Sequence, residues 1–129
     1  MICVRFAGLM DCINEMVSTM AYVATHRFAR TSARKARLIA DLIRGMDADE
    51  ALIQLEFSKK RAAWYYKAVL KSAIANAEEK NADVRNLFVS VATADEGPTI
   101  KRFQPKDRGR AHPINKRTSH LCISLDERN

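Results

Sequence analysis

The chain is poor in the residues that most catalytic and metal sites draw on. Its three cysteines, Cys3, Cys12 and Cys122, stand far apart. That spacing excludes a CxxC metal site, argues against a disulfide scaffold and suits a reducing compartment. Four scattered glycines make no glycine-rich phosphate loop, and no GxSxG elbow is present. His26, His112 and His120 lie on different segments. His120 and Cys122 can share a strand face, but a structural zinc site takes about four such ligands. Asp95 and Glu96 are adjacent, so on a strand they point to opposite faces and cannot act as a carboxylate pair. No catalytic residue, metal or cofactor is expected, and the chain reads as something other than an enzyme. No apolar run nears the ~20 residues of a membrane span, so no membrane partner is expected.

Acid is scarce relative to base. Against 22 Lys and Arg stand 15 Asp and Glu, a formal charge of +7. Such an excess favours a polyanion as partner. An apolar content of 47% in 129 residues fits one globular domain with one modest core. Residues 1–19 fit poorly with this unit. Asp11 and Glu15 would spoil a signal-peptide core and are unusual in a transit peptide. "MAYVATHRF" from Met20 reads as a fresh start. The expectation is a single domain over 20–129, with 1–19 an extension outside it. The rival reading is a genuine short appendage.

Periodicity divides the domain. Residues 21–30 alternate as a strand, with Tyr22, Ala24, His26 and Phe28 on one face. "TSARKARLIADLIRG" predicts a helix with Thr31 or Ser32 as its cap and Gly45 as its stop. Leu38, Ile39, Leu42 and Ile43 form its expected apolar stripe. Arg30, Arg34, Arg37 and Arg44 form a basic stripe interrupted by Asp41. A second helix is expected over 47–57, opened by Asp47 and Glu50 as a capping-box variant, with Leu52 and Leu55 inward. The third and longest covers 58–81. Ala62, Tyr66, Val69, Leu70, Ala73, Ile74 and Ala77 share one side, with Trp64 nearly opposite as an ordinary exposed aromatic. Its first turn carries Lys59, Lys60 and Arg61, where the helix dipole disfavours cations, which hints at an external anion. Strands are expected over 86–103 and 117–127, paired antiparallel. Leu87, Val89 and Val91 alternate in one, and Leu121, Ile123 and Leu125 in the other.

Between those strands lies an arm of about 98–117. Asp107-Arg108-Gly109 supplies turn chemistry, Gly109 being free to take positive φ. At ten residues a side the arm would extend roughly 30 Å, more than the core could support by packing. From Gly97 to His120 seven Lys and Arg face a single acid, Asp107. This is nearly the whole charge excess of the chain. An extended basic ribbon of this kind can thread between nucleic acid helices and neutralise phosphates.

"TSARKARLIADLIRG", "VLKSAIANAEE", "DEGPTIKRFQPKDRGRA" and "KRTSHL" resemble, in order and spacing, the L-twenty-two family of large-subunit ribosomal proteins. The resemblance covers about 21–126. It implies an α+β fold: three helices packed on a small antiparallel three-stranded sheet, with a long protruding β-hairpin arm. It also implies a structural constituent of the large ribosomal subunit, located in the cytoplasm on the ribosome, one copy each. Such a protein binds large-subunit rRNA, touches neighbouring ribosomal proteins and aids subunit assembly. Its hairpin tip lines the peptide exit tunnel beside the nascent polypeptide.

Carried onto this chain, the resemblance makes the arm's RNA contacts Lys101, Arg102, Lys106, Arg108, Arg110, Lys116 and Arg117. The tunnel tip becomes Pro105, Lys106, Asp107, Arg108, Gly109, Arg110 and Ala111. Arg30, Arg34, Lys35 and Arg37 of the first helix, and Lys59, Lys60 and Arg61 of the third, complete the candidate RNA-binding set. Family members usually place small or basic residues where this chain has Gln104, Asp107, Pro113 and Asn115. Asp107 is therefore expected to pair with Arg108 or Arg110, or to face the tunnel lumen. The alternative readings are a free nucleic-acid-binding module, a divergent paralogue, or a binder of acidic proteins.

Overall fold

A computed structural model describes residues 22–128. The expectation about 1–19 lies outside these residues. In chain order the elements are β1 (Tyr22–Ala29), α1 (Ala33–Ile43), α2 (Ala48–Phe57), α3 (Arg61–Glu79), β2 (Leu87–Glu96), β3 (Ile100–Pro105), β4 (Ala111–Lys116) and β5 (Ser119–Glu127). Short 3-10 turns cover Val84–Asn86 and Asp107–Gly109. The fold is α+β, as the sequence implied. β1, β5 and β2 form an antiparallel sheet in that order, and β3 pairs only with β4.

The core lies between the sheet and the helices. Leu121, Ile123 and Leu125 alternate inward from central β5 and are fully buried. Tyr66, Val69, Leu70, Ala73 and Ala77 of α3 meet them with Ile39 and Ile43 of α1. On α1 the expected stripe needs correction. Leu38 stands 58% exposed, and its buried face is Ala33, Ala36, Ile39, Ala40 and Ile43. The single methyl groups of the three alanines let this face approach the sheet closely, with Ile39 and Ile43 filling the space beside them. The leucines are left outside.

Both outer strands also depart from simple alternation. A register shift between Val89 and Val91 makes a bulge in β2. Beyond it the inward residues are Ala92 and Ala94, and Val91 turns partly to solvent. One extra residue flips every later side chain to the other face. In β1 a shift between His26 and Ala29 does the same. Phe28 takes φ 60° there, its ring is exposed, and Ala29 is buried in its place. The freed Phe28 N–H donates to His120 Nδ1 at 3.1 Å.

Neither anticipated side-chain cap forms. Ser32 and Asp47 occupy the N-cap positions without a side-chain cap bond. Asp47 instead pairs with Arg128 at 3.2 Å. Gly45 does end the α1 turn, at φ 83°. It also serves the free edge of β2: Gly45 N–H donates to the Val89 carbonyl, and Val89 N–H donates to the Met46 carbonyl. Further along, Arg44 and Arg37 donate to the Ala92 and Ala94 carbonyls at 2.8 and 3.1 Å. An open strand edge is a template for unwanted pairing, and α1 closes this one.

Candidate nucleic-acid interface

The sequence suggests one strand through 86–103, but the chain breaks at Gly97-Pro98-Thr99. Pro98 has no N–H for the ladder. At Gly97 a Cβ would sit 2.5 Å from Thr118 Oγ1. Gly97 N–H donates to the Thr118 carbonyl at 3.0 Å, and the Thr118 hydroxyl donates to the Pro98 carbonyl at 2.7 Å. This clasp closes the core sheet and starts a separate two-stranded ribbon.

The ribbon runs in register from Ile100↔Lys116 to Pro105↔Ala111. Six residues a side span about 20 Å, less than the roughly 30 Å expected. Every residue from Lys101 to Pro113 is exposed, and no helix packs extensively on either strand. At the tip Lys106 N–H donates to the Arg110 carbonyl at 2.6 Å. Gly109 takes φ 70°, as its position suggests, and Arg108 takes φ 57°. A non-glycine residue there stores about 1 kcal/mol or more. Neither Arg108 nor Arg110 makes an ion pair with Asp107 among the described residues. The pairing expected of Asp107 is therefore not formed in the chain by itself, where all three residues are exposed.

The fourteen candidate cations, from Arg30 to Arg117, are all exposed. Three of them border one cleft. Arg34 of α1, Lys101 of β3 and Arg117 after β4 line a cleft of about 360 Å³ beside Ser32, Thr118 and Glu96. Lys59, Lys60 and Arg61 lie at the start of α3, away from this cleft, with no acid in that first turn. Arg37 has a structural share, since its Nε is committed to Ala94. Arg102 folds back on the Lys101 carbonyl at 2.8 Å. Trp64 is 68% exposed and meets Tyr65 edge-on at 5.0 Å.

Elsewhere the titratable groups serve the fold. Burial pushes the Tyr66 phenol well above its ordinary range, and its hydroxyl donates to the Thr93 carbonyl at 2.9 Å. Burial, with Asp95 nearby, also raises the Cys122 thiol. Among the described residues no group of three or more His, Cys, Asp or Glu is placed to hold a metal, and no helix is long and apolar enough to cross a membrane.

Sequence reading missed Phe103, which is 75% exposed on the ribbon, and the polar lining of the cleft. Phe103 interrupts a basic run, and that interleaving was the available signal. The cleft had none, because its residues are far apart in the chain.

A compact α+β anchor that carries most of its surplus cations on an exposed ribbon has the charge distribution that suits a polyanion. The family model for Ribosomal protein L22p/L17e matches residues 24–126, and the chain belongs to that family. It is therefore a structural protein of the large ribosomal subunit that binds rRNA and serves translation.

Proposed function

We propose that the β3–β4 ribbon enters the rRNA and that its tip, Pro105 to Ala111, forms part of the peptide exit tunnel wall. The observation that carries this reading is the ribbon itself. Seven exposed Lys and Arg lie on or directly beside an element with almost no packing of its own. A two-stranded ribbon alone is marginal in water, and seven like charges repel until anions surround them. Phosphates supply both the counter-charge and the walls.

The core sheet and helices then act as an anchor on the subunit, and the arm as a spacer between rRNA segments. Holding several segments at once is how the protein would aid assembly. Neighbouring ribosomal proteins and the nascent chain complete the set of partners, with one copy per subunit.

The test is a photo-crosslinking residue at position 108, in large subunits carrying a stalled nascent peptide. Adducts to nascent chain and to rRNA are expected. Adducts to neither, from subunits that contain the protein, would overturn the tunnel assignment.

A further inference from the structure

We propose that the cleft at the root of the ribbon binds one backbone phosphate of rRNA and thereby fixes the angle between ribbon and core. The proposal rests on the rRNA-binding reading and adds a particular subsite to it.

Three basic residues line the cleft from three separate pieces of chain: Arg34 from α1, Lys101 from β3 and Arg117 from the β4–β5 junction. None has a carboxylate within ion-pair distance among the described residues. Glu96 lines the same cleft and still pairs with none of them. Like charges gathered in a concave site repel more strongly than on an open face, because low-dielectric walls focus the field. An anion between them turns that repulsion into attraction.

The neutral groups fit the same ligand. Ser32 and Ala33 at the start of α1 line the cleft, and the Ser32 hydroxyl makes no cap bond. Thr99 and Asn115 offer a hydroxyl and an amide from the two sides of the ribbon. The oxygens of a phosphate can accept from hydroxyl and amide groups of this kind, and an Arg can hold two oxygens at once. The site joins core and ribbon, which the Gly97–Thr118 clasp also links. Occupancy would therefore cross-brace the arm where it leaves the core. Glu96 is the opposing charge, and it keeps the site weak for anions that bring no further contacts.

The test uses the full chain and purified large-subunit rRNA, with affinity measured against salt. Arg34→Gln and Arg117→Gln should each weaken binding roughly tenfold and lower the salt slope by about one. If both hold one phosphate, the double variant should weaken binding by clearly less than the product of the two single effects. Glu96→Gln should tighten binding a few-fold. Circular dichroism should show all variants folded, since the three side chains are exposed. Inorganic phosphate, titrated into the labelled chain, should shift the Ser32 to Arg34 amides only at millimolar concentration.

Multiplicative effects of the two arginines, or no effect of either while wild-type chain binds rRNA, would overturn the shared-phosphate site and leave the rRNA reading standing. Tight inorganic phosphate binding with unchanged rRNA affinity would overturn it too, by making free phosphate the ligand. Failure of the wild-type chain to bind rRNA would overturn the underlying reading and the proposal with it.

Discussion

Thr118 Oγ1 stands 2.5 Å from the point where a side chain on Gly97 would begin. It cannot simply rotate away, because it donates to the Pro98 carbonyl at 2.7 Å. The Thr118 carbonyl carbon lies 3.2 Å from the same point. Gly97→Ala should therefore force the clasp open. Overpacking of this kind costs about 1–3 kcal/mol. A thermal melt should show Tm lowered by at least ~4 °C, and an unchanged Tm would show that the junction yields freely.

Tyr66 ties the α3 core face to β2, and its side chain is fully buried. Its phenol is raised in the folded state by burial, so the folded protein keeps a proton that the unfolded chain loses near pH 10. The stability from this group is complete below the unfolded value. It is lost as pH climbs from there toward the folded value. Denaturant midpoints measured from pH 8 to 11.5 should fall more steeply for wild type than for Tyr66→Phe. At pH 7 the variant should be less stable by about 1 kcal/mol, the loss of one hydrogen bond to a buried carbonyl.

The ribbon and β5 should differ sharply in the free protein. β5 is central and buried, whereas β3 and β4 have each other and solvent. Amide exchange at 100–116 should be fast, approaching unprotected rates, while Leu121 to Leu125 exchange with the global unfolding energy. Equal protection in both would mean that the ribbon is rigid without RNA.

Much of this layout was legible from the chain. Helix and strand order followed from apolar period, and the turn from Asp107-Arg108-Gly109. What failed did so for non-local reasons. Leu38 and Leu42 looked like core because leucine usually is. The face of α1 turned to the core is set by Ala33, Ala36, Ile39, Ala40 and Ile43, and which face turns inward depends on the sheet. The bulges at Ser90 and Phe28 carry no Gly, Pro, Asn or Asp, so alternation was read straight through them. At Ser90 the hydroxyl donates to the Ser124 carbonyl at 3.1 Å, a partner unknowable from sequence. Charge pointed to an anionic partner for the arm. Only the fold could bring Arg34, Lys101 and Arg117 into one cleft.

Asp107 is exposed at the tip and unpaired among the described residues. If it faces the tunnel lumen rather than phosphate, its removal should hardly matter to RNA affinity. Asp107→Ala should stay within about twofold of wild type, since an exposed, screened charge contributes well under 1 kcal/mol. A gain of tenfold or more would place the carboxylate against phosphate.

The most direct test of the ribbon's role is rRNA affinity against salt for wild type and for a chain with Lys101, Arg102, Lys106, Arg108, Arg110, Lys116 and Arg117 all changed to Gln. If the ribbon is the principal RNA-binding element, the slope of log affinity on log salt should drop by roughly four, at ~0.7 for each phosphate no longer neutralised, Lys101 and Arg117 sharing one. Affinity near physiological salt should fall by a factor on the order of a thousand. An unchanged slope in a folded variant would contradict this role and move the interface to the helices of the core.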